Sequence, residues 1–325
     1  MARRICDDPV MDSLLVLSEA DVRQLLSLDD LAEALAAGLG ALSEGVASVP
    51  PRIAAVSRDG LLAAMPGSVP GLGLAAKLVS VFPRNPEVAL PAHQALVAIF
   101  DESTGVPLAV MGGTYLTAIR TAMTSAITTR ALARPGSRSL AIVGAGAQGA
   151  AHLVAFTRLL SPGDVRIVSR QAKKASALAG THPRAVAVLS VEQAVRGADV
   201  VCCCTDAAGS VLDERWIGPG VHVGSVGTGA ELPPDLLARA RVFVESRTTA
   251  TAPPPAGALE LQGRDPSSLT EVGDVLAGRS AGRTSLEEVT VFKSTGHAVE
   301  DIAAAGVVLR RALDLGVGTT VTMSE

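Results

Sequence analysis

A short apolar run that ends in three spaced glycines constrains the fold of this chain more than any other feature. Residues 140–143 are typical of a buried parallel strand, and Gly144, Gly146 and Gly149 follow them with G-x-G-x-x-G spacing. The alanine-rich residues 147–160 are typical of a helix, whose free N–H groups and positive dipole end would face a pyrophosphate. This strand, turn and helix predict a dinucleotide-binding site. A purely structural turn is the alternative, since a chain with 32 glycines produces such spacings by chance.

Short strand and helix segments alternate along the chain after the glycine turn, which predicts a parallel sheet covered on both faces. Before the turn, residues 13–45 look mostly helical, and residues 52–111 have the short extended runs and turn signals of an antiparallel meander. We therefore predict an α/β fold with a Rossmann-type doubly wound parallel sheet and a second α+β domain for substrate binding or dimerisation. Residues 247–285 are predicted to run over the surface, and residues 297–315 to form a final helix that returns to the first domain.

Composition and charge exclude several kinds of partner. The formal net charge is −4 and aromatic residues make up 2% of the chain, so we expect neither a basic surface nor a stacking surface for nucleic acid. No apolar run reaches the roughly 18 residues that span a bilayer, and the first residues lack the apolar core of a signal peptide. We therefore expect a cytoplasmic protein with no membrane contact.

Three of the four cysteines are consecutive, at Cys202, Cys203 and Cys204, in an apolar run typical of a central strand. Alternate side chains of a strand point to opposite faces, so these three cannot converge on one metal ion. We interpret them as small buried side chains in a reducing compartment. Cys6 carries no argument, and His152 lacks partners at metal-ligand spacing, so no metal site is predicted.

Cofactor choice is decided where the second strand of the parallel sheet ends. An acidic residue there accepts a hydrogen bond from the ribose 2′-hydroxyl of NAD, whereas polar and cationic groups suit the 2′-phosphate of NADP. The strand continues into Ser169 and Arg170, with Lys173 and Lys174 close behind and no acid among them. We therefore predict NADP(H) in preference to NAD(H). The alternative is that these cations form a solvated helix start.

Other cofactor contacts are expected in the glycine turn and at the carboxyl ends of the fourth and fifth strands, where an open α/β sheet binds its ligand. Thr205 ends the fourth strand and Val226 ends the fifth. The predicted cofactor-binding residues are Gly144, Gly146, Ala147, Gln148, Ser169, Arg170, Lys173, Thr205 and Val226.

One lysine stands in an unusual place. Lysine occurs at only four positions, and Lys77 lies within an apolar extended run. A buried ammonium needs an anion or a reaction to offset its desolvation. Arg52 and Arg120 lie in similarly apolar surroundings, and three converging cations would capture a carboxylate. The alternative, which the spacing leaves equally open, is that each cation pairs with a different structural acid.

A set of motifs along nearly the whole chain resembles one known family, the ornithine cyclodeaminase/mu-crystallin family. The motifs are Pro50-Pro-Arg52, Met65-Pro66, Lys77-Leu-Val-Ser-Val-Phe82, Asn85-Pro86, Pro91-Ala-His-Gln94, Phe100-Asp-Glu-Ser-Thr-Gly105, Thr117-Ala-Ile-Arg-Thr121, Gly144-Ala-Gly-Ala-Gln148 and Phe292-Lys-Ser-Thr-Gly296. The resemblance implies a homodimer that acts on imino or amino acids with a nicotinamide cofactor. It also implies a substrate-binding and dimerisation domain from residues 1–121 and 297–325, and a Rossmann domain from residues 122–296. By the same likeness, Arg52, Lys77 and Arg120 match the family's carboxylate-binding positions.

Two departures from the family pattern decide which reaction is expected. Cyclodeaminases carry an aspartate as general base just after the glycine of the fifth strand, whereas here Gly227 is followed by Thr228, which cannot take that proton at neutral pH. The later motif usually contains Phe-Asp, but this chain has Phe292-Lys293, the form of the mu-crystallin-like ketimine reductases. Both differences favour reduction over cyclodeamination.

The expected reaction is NADPH-dependent reduction of a cyclic ketimine carboxylate, Δ1-pyrroline-2-carboxylate or Δ1-piperideine-2-carboxylate, to proline or pipecolate. Arg52, Lys77 and Arg120 would hold the carboxylate, and either Lys77 as a catalytic acid or a water would protonate the imine. Two alternatives stay open. One is an ornithine or lysine cyclodeaminase or an amino-acid dehydrogenase of the same family, and the other is a non-catalytic NADP-dependent ligand-binding protein.

Overall fold

The computed structural model describes residues 13–227 and 229–323, so Cys6 and Thr228 lie outside the described residues. The strands are β1 (Ser13–Leu17), β2 (Ile53–Val56), β3 (Leu61–Val69), β4 (Gly73–Val81), β5 (His93–Phe100), β6 (Pro107–Gly112), β7 (Ser139–Val143), β8 (Asp164–Val168), β9 (Ala185–Ala187), β10 (Val200–Cys203), β11 (His222–Ser225), β12 (Arg241–Val244), β13 (Thr270–Glu271), β14 (Thr290–Lys293) and β15 (Thr319–Thr322). The helices are α1 (Glu19–Leu25), α2 (Leu28–Glu44), α3 (Thr114–Leu132), α4 (Ala147–Leu159), α5 (Ala172–Ala179), α6 (Val191–Val195), α7 (Pro234–Arg239), α8 (Arg247–Thr251), α9 (Val272–Leu276) and α10 (Ala298–Leu315).

The first sheet has the strand order β15-β1-β6-β5-β4-β3-β2. Strands β2 to β6 are consecutive antiparallel neighbours, which confirms the meander predicted for residues 52–111. Side chains alternate between the two faces, so Met65 and Lys77 are buried on the face that contacts α10. The opposite face is apolar but exposed, with Leu62, Leu78 and Leu96 partly open to solvent.

The first strand of this sheet differs from the prediction. Residues 13–17 were expected to be helical, but they form β1, parallel to β6 and antiparallel to β15. A capping box at Ser18 starts α1 directly after this strand, so the error lies only in the residues before it. The reason is tertiary pairing: the continuous apolar run of β1 fits between two strands that are distant in sequence.

The second sheet is parallel throughout and has the order β13-β12-β14-β11-β10-β7-β8-β9. Leu140 and Ile142 of β7 pack into one apolar core, and Ala141 and Val143 pack into another. Both faces are therefore covered, which confirms the doubly wound Rossmann-type sheet. The chain moves from β7 to β8 on one side and returns to β10 on the other, so a ligand crevice is expected at the carboxyl ends of β7 and β10.

The cysteine run behaves as predicted, whereas the segment from residue 247 to 285 does not. Cys202 and Cys203 are free, buried and divided between the two cores. Residues 247–285 do not simply run over the surface, because Ala258, Leu261 and Val272 are fully buried there. The segment also contains α8, α9 and the edge strand β13, which pairs with β12. Its turn-rich composition indicated irregular backbone but could not indicate that this backbone packs inward.

No helix within residues 13–227 and 229–323 is long and apolar enough to cross a membrane.

Candidate active site

Two of the three glycines of the turn are tightly packed, and the middle one faces open space. A Cβ on Gly144, where φ is +112°, would lie 2.4 Å from the Cys204 carbonyl oxygen, and one on Gly149 would lie 2.1 Å from the Gly144 oxygen. A Cβ on Gly146 would meet nothing within 4 Å. The first and third glycines are therefore required by the turn and by helix packing, while the second leaves open space at the N-terminus of α4. That space is where a pyrophosphate would approach the backbone N–H groups of Ala147 and Gln148.

The cations expected to select the cofactor lie at the end of β8 and the start of α5. Arg170 and Lys173 are exposed, and Ser169 is half-buried. The Arg170 guanidinium lies 3.4 Å from the Asp206 carboxylate, which follows β10. The sequence around β8 gives no sign of this acid, because Asp206 lies in the loop after β10, and β7 separates β10 from β8 in the sheet. The ion pair is almost fully exposed, so it holds Arg170 only weakly.

Two of the three predicted substrate cations share one carboxylate, and the third binds the loop beside it. The Lys77 ammonium of β4 lies 2.7 Å from Asp301 Oδ2, and Arg120 Nε of α3 lies 2.9 Å from Asp301 Oδ1. Arg52 Nη2 donates to the carbonyl oxygens of Thr295 and Gly296, at 2.6 Å for Gly296. The alternative of three separate acids is therefore wrong, since Lys77 and Arg120 share Asp301 and Arg52 uses backbone carbonyls.

Two further acids complete this cluster, and sequence reasoning missed both. Glu300 pairs with Arg120 from the first turn of α10. Glu245 follows β12 and accepts hydrogen bonds from the Ser294 hydroxyl and the Gly296 N–H. Gly296 has a φ of +70°, and a Cβ there would lie 3.0 Å from Arg120 Nη1, so only glycine fits between the arginine and the loop. Glu300 and Asp301 are adjacent in the first turn of a helix, where acidic residues are normally solvated. The sequence therefore does not indicate that they are buried in the site.

Burial shifts the protonation of this cluster. It lowers the pKa of the Lys77 ammonium to about 8, although the Asp301 carboxylate opposes the shift. Burial alone would raise the pKa of Asp301, but Arg120 and Lys77 together hold it below the usual value. Burial and the nearby Arg52 lower the pKa of His297 to about 4, so this ring is neutral at pH 7. At pH 7 the cluster therefore holds an ionised Asp301 between Lys77 and Arg120, with a neutral His297 near Arg52.

Several donors of the three cations keep no protein acceptor within the described residues. Arg52 uses only Nη2, and Arg120 uses Nε and Nη1. Lys77 has one acceptor for three protons. Arg52 Nη1, Arg120 Nη2 and two Lys77 protons are thus available to a small anion.

A second buried cluster joins the carboxyl ends of β10, β11 and β14. Glu231 accepts hydrogen bonds from Thr205 and Gly227, and Lys293 lies 2.9 Å from Glu260. Val226, the other residue predicted to bind cofactor here, directly follows β11. Thr228, whose identity argues against a cyclodeaminase base, lies outside the described residues.

A cavity of about 700 Å³ lies at the opposite, amino-terminal edge of the parallel sheet. It is lined by arginines, but Arg134 pairs with Asp199 and Arg283 donates to the Leu132 carbonyl at the end of α3. These contacts are typical of cations at a helix C-terminus. Parallel sheets bind ligands at the carboxyl ends of their strands, so this cavity is not the expected ligand site. A smaller cavity of about 10 Å³ lies beside Arg52 and His297, within the candidate site.

Comparison with known proteins identifies the family of this chain. The model of the ornithine cyclodeaminase/mu-crystallin family matches residues 13–315. The ketimine reductase mu-crystallin of Mus musculus is 40% identical over 77% of this chain and 80% of its own length. The structure of Thermococcus litoralis Δ1-pyrroline-2-carboxylate reductase in complex with NADH and L-proline has a TM-score of 0.90 and 30% identity, covering 95% of this chain and 100% of that one. An archaeal alanine dehydrogenase dimer with bound NAD has a TM-score of 0.89 and 30% identity, covering 96% of this chain and 100% of that one.

These relatives are, by name, reductases and dehydrogenases of imines or amino acids, which confirms the predicted enzyme class, an NAD(P)-dependent oxidoreductase acting on C=N or CH–NH bonds. The residues that the family model matches include Arg52, Lys77 and Arg120 as well as the glycine turn. The chain belongs to the ornithine cyclodeaminase/mu-crystallin family.

Proposed function

We propose that this protein reduces a cyclic ketimine carboxylate, Δ1-pyrroline-2-carboxylate or Δ1-piperideine-2-carboxylate, to proline or pipecolate with NADPH. The observation that carries the proposal is the shared contact of Lys77 and Arg120 with Asp301, with Arg52 bound to the neighbouring Gly296 carbonyl and several donors of the three cations still free. A relative that is a pyrroline-2-carboxylate reductase with L-proline in its structure supports the same substrate class.

The residues of the parallel sheet fit a nicotinamide dinucleotide. The room beside Gly146 suits a pyrophosphate at the start of α4, and the end of β8 offers Ser169, Arg170 and Lys173 to a 2′-phosphate. Thr205 and Val226 follow the carboxyl ends of β10 and β11, where the nicotinamide end of the cofactor would bind. When bound, the dinucleotide supplies the hydride that reduces the C=N carbon.

The substrate cations bind and orient the imine. The free donors of Arg52 and Arg120 can fork onto the two carboxylate oxygens, and the Lys77 ammonium adds a point charge. Fixing one end of a small ring in this way fixes the position of its C=N carbon. Positioning of this kind can supply up to about 7–11 kcal/mol of a reaction barrier.

Lys77 is the proposed proton donor to the imine nitrogen. Its pKa of about 8 leaves the ammonium mostly protonated at pH 7 while making the proton easier to give than that of an ordinary lysine. A water held by the cluster is the other candidate donor. The size of the loss of kcat/KM in Lys77→Met distinguishes proton donation by Lys77 from proton donation by a water.

Following NADPH absorbance with the five- and six-membered cyclic ketimine carboxylates tests the proposed reaction. We expect NADPH oxidation with at least one ring, and no ammonia from ornithine or lysine in parallel assays. Ammonia release without net cofactor change would favour a cyclodeaminase, and keto acid from a free amino acid with NADP+ would favour an amino-acid dehydrogenase, the activity named for the archaeal relative. Ligand binding without turnover of any of these compounds would indicate a carrier.

We expect NADPH to be preferred over NADH, and Arg170→Ala should remove that preference. Loss of an exposed charge-assisted hydrogen bond should raise the KM for NADPH about tenfold, near the lower end of the range for such bonds, without changing the KM for NADH. Asp206→Ala should lower the KM for NADPH, because it frees Arg170. Arg196→Ala, an exposed arginine paired within α6 and its cap, is the matched control. Equal changes with both cofactors would contradict the assignment.

The exposed face of the first sheet supports the proposed homodimer. Leu62, Leu78 and Leu96 are 49%, 46% and 54% exposed, and Leu78 pairs with Leu96 across the strands. Such a contiguous apolar face is typical of an interface between subunits. The proposed dimerisation domain comprises residues 1–121 and 297–325, and the proposed Rossmann domain residues 122–296. The pairing of β15 with β1 supports assigning the chain's end to the first domain.

Leu78→Glu should convert the dimer to monomers, because it places a charge at the centre of this apolar face. Light scattering after size-exclusion chromatography measures the mass directly. Leu189→Glu, at a leucine that is 90% exposed beyond β9, is the matched control and should leave the mass unchanged. A monomeric wild-type protein, or a Leu78→Glu variant that stays dimeric, would contradict the proposed interface.

A further inference from the structure

The second buried lysine, Lys293, has no part in the proposed mechanism, although its side chain is fully buried. It ends β14, and its ammonium donates to the Ser225 hydroxyl at 2.8 Å, to the Gly227 carbonyl, and toward the Gly229 carbonyl at 3.5 Å. The Glu260 carboxylate lies 2.9 Å away and balances its charge. A buried ammonium is costly, so a lysine that places most of its contacts on one loop indicates that the loop conformation matters.

Glu231 holds the same loop from the other side. Its carboxylate accepts from the Thr205 N–H at 2.8 Å, the Thr205 hydroxyl at 2.6 Å, the Ser225 hydroxyl at 2.6 Å and the Gly227 N–H at 2.9 Å. These four donors match the acceptor capacity of a carboxylate. The Ser225 hydroxyl connects the two charged groups, because it accepts from Lys293 and donates to Glu231.

Gly227 is therefore fixed on both sides of its backbone, since its N–H is bound by Glu231 and its carbonyl by Lys293. A Cβ at Gly227 would lie 2.7 Å from the Thr205 carbonyl oxygen, so the loop is also packed tightly against the end of β10. Thr205 and Val226, on either side of this contact, are the residues proposed to receive the nicotinamide end of the cofactor.

We infer that Lys293 and Glu231 are positioning residues for the cofactor, which act through Gly227 by holding the backbone at the ends of β10 and β11 in the orientation that receives the nicotinamide. The inference rests on the proposed function, in that it assumes a nicotinamide cofactor at this edge. It assigns to Lys293 a role in cofactor affinity and to Lys77 a role in substrate affinity.

The test compares Lys293→Met with Thr290→Val, which lies on the same strand. Thr290 accepts or donates a 2.9 Å hydrogen bond with His222, between the same two strands at their amino ends, and both side chains are fully buried. Both variants should lose thermal stability. Only Lys293→Met should weaken NADPH binding, by at least tenfold in a fluorescence titration, and speed amide hydrogen exchange of Gly227 in the cofactor-free protein. The KM for the ketimine at saturating NADPH should change less than threefold.

Ser225→Ala provides a second, smaller perturbation should Lys293→Met fail to fold, because it removes only the hydroxyl that links Lys293 to Glu231. It should weaken NADPH binding severalfold in the same titration. The inference would be overturned if Lys293→Met and Ser225→Ala both kept the wild-type NADPH affinity. It would also be overturned if Thr290→Val, at an equal loss of stability, lost as much NADPH affinity as Lys293→Met. Because the titration needs no turnover, an enzyme that binds NADPH but does not reduce ketimines would disprove the proposed reaction and leave this test intact.

Discussion

Replacing Lys77 with methionine should lower kcat/KM for the cyclic ketimine by about 10²–10⁴, the usual contribution of a general acid. Methionine keeps the length and apolar stem of lysine but removes the ammonium that contacts Asp301. NADPH affinity should not change, because Lys77 lies on β4 in the antiparallel sheet. Lys293→Met is the reciprocal control, since it removes the other buried lysine and should affect cofactor binding instead.

The pH dependence of kcat/KM should follow the protonation of Lys77. In the wild type, kcat/KM should fall as pH rises through about 8, because the free enzyme loses the Lys77 proton there. The Lys77→Met variant should lack that fall. A variant that retains a full rate would contradict the catalytic role, and a loss of less than about tenfold would indicate that a water donates the proton and Lys77 only binds.

Asp301→Asn should be the most destabilising polar substitution in the substrate site. Asp301 is the shared partner of Lys77 and Arg120, and all three side chains are nearly inaccessible to solvent. Removing one partner of a buried ionic cluster leaves uncompensated charge and typically costs about 3–5 kcal/mol in the free energy of unfolding. Urea unfolding measures the loss, and Asp59→Asn, in an exposed pair with Arg58, should cost at most about 1 kcal/mol.

The double variant Asp301→Asn with Lys77→Met should recover part of this loss, because it removes the Lys77 ammonium that Asp301→Asn leaves unpaired, while Arg120 keeps Glu300. The Asp301 contribution also has a defined pH range. Its folded pKa lies below the usual 3.8, so the stabilisation is present above that value and is lost as pH falls through the folded pKa. The cluster would not depend on this carboxylate if Asp301→Asn lost little free energy of unfolding. The same conclusion would follow if the losses of the two single variants added up to the loss of the double variant.

The sequence indicated the three cations but not the acids that hold them. Lys77 was recognisable because lysine is rare in this chain and unusual in an apolar strand. Asp301 lies 181 residues after Arg120 on an amphipathic helix, where a charged residue is normally solvated. Only the tertiary contact between α10 and the first sheet reveals that this charge is buried.

The same limit applies to the fold. The parallel sheet followed from local alternation and the glycine turn, and the helix predicted over residues 147–160 is observed as α4, Ala147–Leu159. By contrast, β1 and β15 are strands because they pair with each other across nearly the whole chain. Residues 247–285 likewise make a long-range contact, since Glu260 pairs with Lys293. Long-range pairing of this kind leaves no periodic pattern in the sequence.

The central claim is that Arg52, Lys77 and Arg120 select a carboxylate beside the imine. It is tested most directly by comparing steady-state NADPH oxidation with Δ1-pyrroline-2-carboxylate and with 1-pyrroline, the same ring without its carboxylate. Leaving the free donors of the three cations without a carboxylate should lower kcat/KM for 1-pyrroline by about 10³ or more, as expected when buried polar groups are left unpaired. Equal values of kcat/KM for the two imines would contradict the account.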